Sequence, residues 1–272
     1  LKWLLWPGYA FLTADDERLE RLAPRELARV WLSAMVLALL WGIASMHLWQ
    51  LAQDVFYKVR FRTRLENEPW LGVAAVVTVG GLWLHRGGLG ALAKALGGRA
   101  PEGRSAASAV VVVLWVLTLL SLERRGDEYR DYPYFLEACW QWLYPYPWYR
   151  ALILAPLWGC WAMLMTAQLC RRTPPGHTAA VAAARGCGAL KAALLLAAPL
   201  AGTLVYFHYL GMCSAGGMSL PVSLMIAGVT VVASLLAGML WCRLGGGLKR
   251  DHLLGVNLLG QIMFLLAYVA WR

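Results

Sequence analysis

Leu220-Pro221-Val222-Ser223-Leu224-Met225-Ile226-Ala227-Gly228-Val229-Thr230-Val231-Val232-Ala233-Ser234-Leu235-Leu236-Ala237-Gly238-Met239-Leu240-Trp241-Cys242 runs without one charged side chain. About 20 apolar residues are enough to carry a helix across roughly 30 Å of hydrocarbon. Comparable runs recur at 30–52, 106–122, 151–170, 192–212 and 253–271, with a shorter one at 70–84. The short run needs snorkelling by His85 and Arg86, or a place buried within the bundle. Buried helices of soluble proteins rarely carry runs of this length. The pattern predicts an all-α, polytopic integral membrane bundle of about seven transmembrane helices. It shows no internal repeat and no boundary, so residues 1–272 read as a single membrane domain.

Composition agrees. The chain has 272 residues, 60% of them hydrophobic, and a mean hydropathy of +0.55, too apolar for an ordinary soluble domain. Lys and Arg number 25 against 15 Asp and Glu, a net charge of +10. In a membrane protein this excess is a topology signal before it is evidence for nucleic acid, and no nucleic-acid partner is expected. The larger share of basic residues falls in the N-terminal segment and the loops around Arg99, Arg172 and Lys249. That share predicts a cytoplasmic N-terminus, with Arg272 on the far side. Lys58, Arg60, Arg62 and Arg64 in the first outer loop run against the rule.

Between the spans, residues 1–27 read as an interfacial entry segment, with Trp3, Trp6 and Tyr9 suited to the headgroup zone. Thr13 to Glu17 offers a cap for a charged helix over 16–27. No signal peptide is expected, because 3–12 is short and is followed by acids. Residues 123–150 form the longest extramembrane stretch, aromatic-rich over 129–149 and suggestive of an amphipathic element. Pro174-Pro175-Gly176 marks a turn. The alanine- and glycine-rich stretch 178–200 suits close helix contact. Cys139, Cys160, Cys170, Cys187, Cys213 and Cys242 form no C-x-x-C motif and read as small buried hydrophobes.

Two basic, glycine-bearing segments adjoin spans: Gly80-Gly81-Leu82-Trp83-Leu84-His85-Arg86-Gly87-Gly88-Leu89, running on to Arg104, and Gly245-Gly246-Gly247-Leu248-Lys249-Arg250-Asp251-His252-Leu253-Leu254-Gly255. The predicted spans bring both to one side of the bilayer. Glycines let backbone approach a ligand, and Arg offers bidentate donors to phosphate. The positive-inside rule with ordinary loop glycines accounts for the same residues. No acid falls inside a predicted span, which disfavours an intramembrane carboxylate relay. Beyond the N-terminal segment, Glu102 and Asp251 are the acids on that side. His47 and His208, in or near spans, offer a weaker alternative as axial ligands of a b-haem, or simply pack as polar side chains. No G-x-S-x-G elbow occurs, and 80–98 is no dinucleotide fingerprint, because it follows a span rather than a strand.

Four segments, in order, resemble the cobalamin synthase family (adenosylcobinamide-GDP ribazoletransferase). Gly80-Gly81-Leu82-Trp83-Leu84-His85 resembles that family's Gly-Gly-Leu-His-x-Asp, and Glu102-Gly103-Arg104 its Asp-Ser-Arg. Leu154-Ala155-Pro156-Leu157-Trp158-Gly159-Cys160-Trp161-Ala162-Met163 resembles Leu-Ala-Pro-x-x-Gly-Arg-Trp-Ala-Met. The stretch 244–255 resembles the C-terminal segment with Gly-Gly, then Thr-Gly-Asp and a further Gly; Phe11-Leu12-Thr13 matches an early Phe-Leu-Thr. The resemblance implies a bacterial cytoplasmic-membrane enzyme of cobamide nucleotide-loop assembly. Such an enzyme joins α-ribazole or its phosphate to GDP-activated cobinamide, releases GMP and uses Mg2+.

On this chain the resemblance assigns catalytic roles to His85, Glu102, Asp251 and His252. It places Glu102 and Asp251 at a metal, while the surplus of bases at that face assigns Arg104, Lys249 and Arg250 to a phosphorylated or otherwise anionic substrate, with Gly80, Gly81 and Gly246 permitting close approach. Trp83 stands where the family has histidine, His85 where it has aspartate, Cys160 where it has arginine, and 87–95 holds no acid. Neutral histidine brings no negative charge to magnesium, which prefers oxygen ligands. The expectation is therefore a weakened or lost transferase. The alternative is a non-catalytic scaffold on the same fold, packed against a membrane-complex partner or another copy of itself.

Overall fold

The computed structural model describes residues 2–12, 26, 29–59, 70–81, 86–97, 101–123, 147–170, 172–173, 178–209, 218–244 and 247–271. Among these there is helix and no strand. In chain order the helices are α1 Lys2–Leu12, α2 Val30–Val59, α3 Trp70–Val79, α4 Arg86–Gly97, α5 Pro101–Glu123, α6 Pro147–Leu169, α7 Thr178–Arg185, α8 Ala189–Leu194, α9 Ala197–Thr203, α10 Leu220–Leu244 and α11 Arg250–Trp271, with a π-helical stretch at Leu204–Tyr209. Among the described residues, six segments are long and apolar enough to cross a membrane: Val30–Ala52, Pro101–Leu122, Tyr149–Leu169, Ala189–Tyr209, Leu220–Leu244 and Arg250–Trp271. The protein is an all-α integral membrane bundle.

The bundle is built around α6 and α11, the two helices buried nearly all round. Helices in lipid gain nothing from hydrophobic contact with one another, so close packing and polar contacts must hold them together. The α6–α11 seam achieves the close approach with glycine. A Cβ at Gly159 would overlap the carbonyl oxygen of Asn257 and lie 2.7 Å from Gln261 Cγ, and one at Gly260 would sit 3.0 Å from Gly159 Cα. Beside the seam, Gln261 Nε2 donates to Asn257 Oδ1 over 3.2 Å. Toward one end, rings lock the pair: Trp158 lies on Phe264 with centroids 5.8 Å apart, and Phe207 packs on Tyr268 at 4.9 Å. Trp158 Nε1 donates to Thr203 Oγ1 at 3.1 Å, so the indole is buried without losing its hydrogen bond. On the opposite flank α2 passes α6 where Gly42 faces the Ile153 carbonyl, again with no room for a Cβ.

Three sequence expectations shift. The run at 70–84 forms a ten-residue helix, α3, followed by a π turn at Gly80–Gly81. These ten residues rise about 15 Å, and the rest of the run, 82–84, lies outside the described residues. The N-terminal segment is more than interfacial, because Ala10, Phe11 and Leu12 are core residues and Gly8 meets the Ser33–Ala34 backbone of α2. The run at 192–212 starts earlier and is broken. Gly188 enters it with φ of 74°, the left-handed region that favours glycine. Turns at Leu195–Leu196 divide α8 from α9, and the helix then widens to the π stretch. There Arg150 Nη1 donates to the Tyr206 carbonyl at 3.0 Å. The expected charged helix over 16–27 and most of the aromatic stretch 129–149 lie outside the described residues.

Candidate site at the basic end of the bundle

Six contacts gather widely separated residues at one end of the bundle. Cys170, just past α6, is disulfide-bonded to Cys242 near the end of α10, with Cα atoms 6.6 Å apart. The Leu248 amide donates to the Arg172 carbonyl at 2.7 Å. Lys94 of α4 pairs with Asp251 of α11 at 3.0 Å. Arg250 Nη2 donates to the Ala10 carbonyl of α1 at 3.0 Å. Arg185 of α7 donates through Nε to the Ala167 carbonyl at 3.1 Å and through Nη2 to the Cys170 carbonyl. The two motif segments therefore do meet: α4 runs antiparallel to the start of α11, with Gly88 against Leu254 and Leu258 and Lys94 at Asp251.

The same geometry divides the residues nominated from sequence. Gly81 lies beside Leu89 and Trp115, an added Cβ being 3.4 and 4.0 Å away. Trp115 is about 20 Å along α5 from Pro101, at 1.5 Å per residue. Gly80 and Gly81 thus sit at mid-depth, whereas Glu102 and Arg104 are exposed in the first turns of α5 at the basic end. Arg250 is 2% exposed and points inward onto α1. His252 is buried with its ring against Trp241, centroids 5.5 Å apart. Lys249 is half-buried at the surface of this end, with Arg172 and Arg243 exposed. His85 and Gly246 lie outside the described residues. His47 is exposed on α2, while His208 Nδ1 is 3.2 Å from the Met218 carbonyl.

These positions sort the charges by what they do. The last carbonyls of a helix have no intrahelical donor and carry partial negative charge. Arg250 supplies a donor to the last turn of α1, and Arg185 does so for the end of α6; both arginines are structural. The acids follow the same logic in reverse. Glu102 and Asp251 occupy the first turns of α5 and α11, where a carboxylate complements the positive end of the helix dipole. Asp251 is further engaged by Lys94. Among the described residues at this end, Arg104, Arg172 and Arg243 are exposed and Lys249 is half-buried, while Lys94 answers Asp251.

A magnesium ion needs oxygen ligands, commonly one or two carboxylates beside substrate phosphate. Here one nominated carboxylate already answers a lysine and the other stands exposed on a different helix. No group of three His, Cys, Asp or Glu side chains comes together among the described residues. This donor set does not fit Mg2+, and no step is derived through it. Sequence reasoning missed Arg185, whose signal was its place in the last turn of an alanine-rich helix, and missed the Cys170–Cys242 pair entirely. Cys187, between spans and close to this end, is a buried thiol; burial pushes its pKa up, with Lys191 opposing. Compared with known proteins, the chain matches no family model, no curated protein and no solved structure.

Proposed function

We propose that the protein is a divergent, cobalamin synthase-like protein of the bacterial cytoplasmic membrane that binds a phosphorylated or otherwise anionic small molecule at its basic end. It does so directly through arginine and lysine, and its ribazoletransferase activity is weak or lost. The observation that carries this reading is the meeting of the two motif segments through α4 and α11, which brings Lys94 and Asp251 to 3.0 Å. Among the described residues at this end, Arg104, Arg172, Arg243 and Lys249 outnumber Glu102 once Lys94 and Asp251 are paired. Arg104 and Lys249 are the residues we assign to the anion, since Arg250 is turned to α1. The positive-inside rule supports a cytoplasmic location for this end, where phosphorylated metabolites are.

The engagement of Asp251 by Lys94 also favours a second reading, a non-catalytic scaffold on the same fold. Two measurements separate them. In nanodiscs, thermal stabilisation by pyrophosphate or a nucleoside diphosphate should survive a chelator and weaken about 10- to 100-fold in Arg104→Ala, the worth of one hydrogen bond to a charged group. Magnesium-dependent stabilisation that is unchanged in Arg104→Ala would sink the anion site. Complementation of a strain lacking cobalamin synthase tests the chemistry: growth would show that transferase activity persists. No growth combined with no anion binding would leave the scaffold.

A further inference from the structure

We propose that Cys170 and Cys242 form a reversible redox latch that sets the position of Lys249. The two cysteines lie 72 positions apart yet close the junction between the ends of α6 and α10. Two backbone hydrogen bonds shape the segment that follows α10, and each accepting carbonyl belongs to one side of the latch. The Gly247 amide donates to the carbonyl of Cys242 itself at 3.0 Å, and the Leu248 amide donates to Arg172, two residues beyond Cys170, at 2.7 Å. The S–S bond therefore holds the two acceptors at a fixed separation. Lys249 comes immediately after the donors, so its placement depends on both bonds closing at once, whereas Arg250 is held separately by the Ala10 carbonyl. Reduction also creates a competitor, since the Cys170 sulfur is 4.0 Å from the Arg172 carbonyl that Leu248 uses. As a thiol it is a weak donor to that oxygen.

Reversibility follows from the compartment. Disulfides in the cytosol are usually transient or redox-sensing, because cellular thiols keep cysteines reduced. The inference thus rests on the cytoplasmic placement of the basic end proposed above. The oxidant is a low-molecular-weight disulfide, RSSR. One cysteine thiolate attacks a sulfur of RSSR, forming a mixed disulfide and releasing one RS−, which takes up the proton that the cysteine lost. The second cysteine then attacks the protein sulfur of the mixed disulfide, forming Cys170–Cys242 and releasing the second RSH. Two cysteine sulfurs are oxidised and RSSR is reduced to two thiols; a dithiol reverses both steps.

The test uses the full chain in nanodiscs, equilibrated with glutathione disulfide or with dithiothreitol. Peptide mapping reads the bond, and hydrogen exchange reads the amides of Gly247 and Leu248. The latch predicts at least about tenfold slower exchange at these two amides in the oxidised form. Cys170→Ser should give fast exchange under both conditions, and Cys187→Ser should behave as wild type. If Cys170→Ser does not fold, reduced against oxidised wild type gives the same comparison. Equal exchange in both redox states, or failure of the pair to oxidise, would overturn the latch. So would a bond found wholly oxidised in acid-quenched cells, because it would then be a permanent cross-link. Pyrophosphate binding, measured on both forms, isolates the other reading: redox-sensitive exchange without pyrophosphate binding keeps the latch and removes the anion site.

Discussion

Gly159→Ala adds one methyl group to the seam between α6 and α11, and the structure sets the size of the effect. The new Cβ would overlap the Asn257 carbonyl oxygen, lie 2.6 Å from Asn257 Oδ1 and lie 2.7 Å from Gln261 Cγ. Ordinary contact needs about 3.5 Å, so the helices must part by roughly 1 Å. The nearest obstruction is backbone, which cannot step aside as a side chain can. Overpacking of this kind costs about 1–3 kcal/mol, and the backbone obstacle argues for the upper end. Alanine returns about 1 kcal/mol through helix propensity, leaving a net loss of about 2 kcal/mol, some 30-fold in the folding equilibrium. Gly228→Ala is the matched control, on α10 with nothing within 4 Å of the new atom. There only propensity acts, and the sign reverses to a gain of up to about 1 kcal/mol. Reversible unfolding from mixed detergent micelles, followed by tryptophan fluorescence, measures both. Gly159→Ala as stable as Gly228→Ala would refute the seam.

Arg250→Met should destabilise by about 1.5–3 kcal/mol, since it removes a charged donor from a buried helix end. It should also expose α1 to proteolysis, whereas wild-type accessibility in the variant would refute the capping role. Asp251→Asn should cost no more than about 1 kcal/mol, because the Lys94–Asp251 pair is 58% and 45% exposed at its side chains; a double-mutant cycle with Lys94→Met checks it. Burial raises the Cys187 thiol pKa, so less thiolate is present at a given pH. Its maleimide labelling should therefore rise at higher pH than that of a free thiol, and a profile matching free cysteine would contradict this.

Helices and the membrane environment were legible because a long uncharged run is stable in few settings besides lipid. The starts of α2 and α10 fell at the expected residues. The break within 189–209 was not, since alanine-rich sequence permits a continuous helix, and the π stretch meets Arg150 from 56 positions away. At the candidate site, sequence located the two basic segments and could not tell a capping arginine from a ligand-binding one. Arg250 and Lys249 are neighbours in the chain, yet one turns inward to α1 while the other stays at the surface. The cysteine pair was equally invisible, because its proximity comes from the parallel course of α6 and α10 rather than from any local spacing.

The bond from Arg250 to Ala10 also has a bearing on biogenesis. Its partners are 240 positions apart, the first described helix being capped by the last. At a synthesis rate of about 5–20 residues per second, Arg250 is joined to the chain some 10–50 s after Ala10. For that interval α1 exists without this cap, and the bond can close only once α11 has been delivered from the translocon. The N-terminal helix is thus committed to its native place late, when the last helix arrives, and a chain stalled before residue 250 would leave that end of α1 open to proteases that sense incomplete assembly.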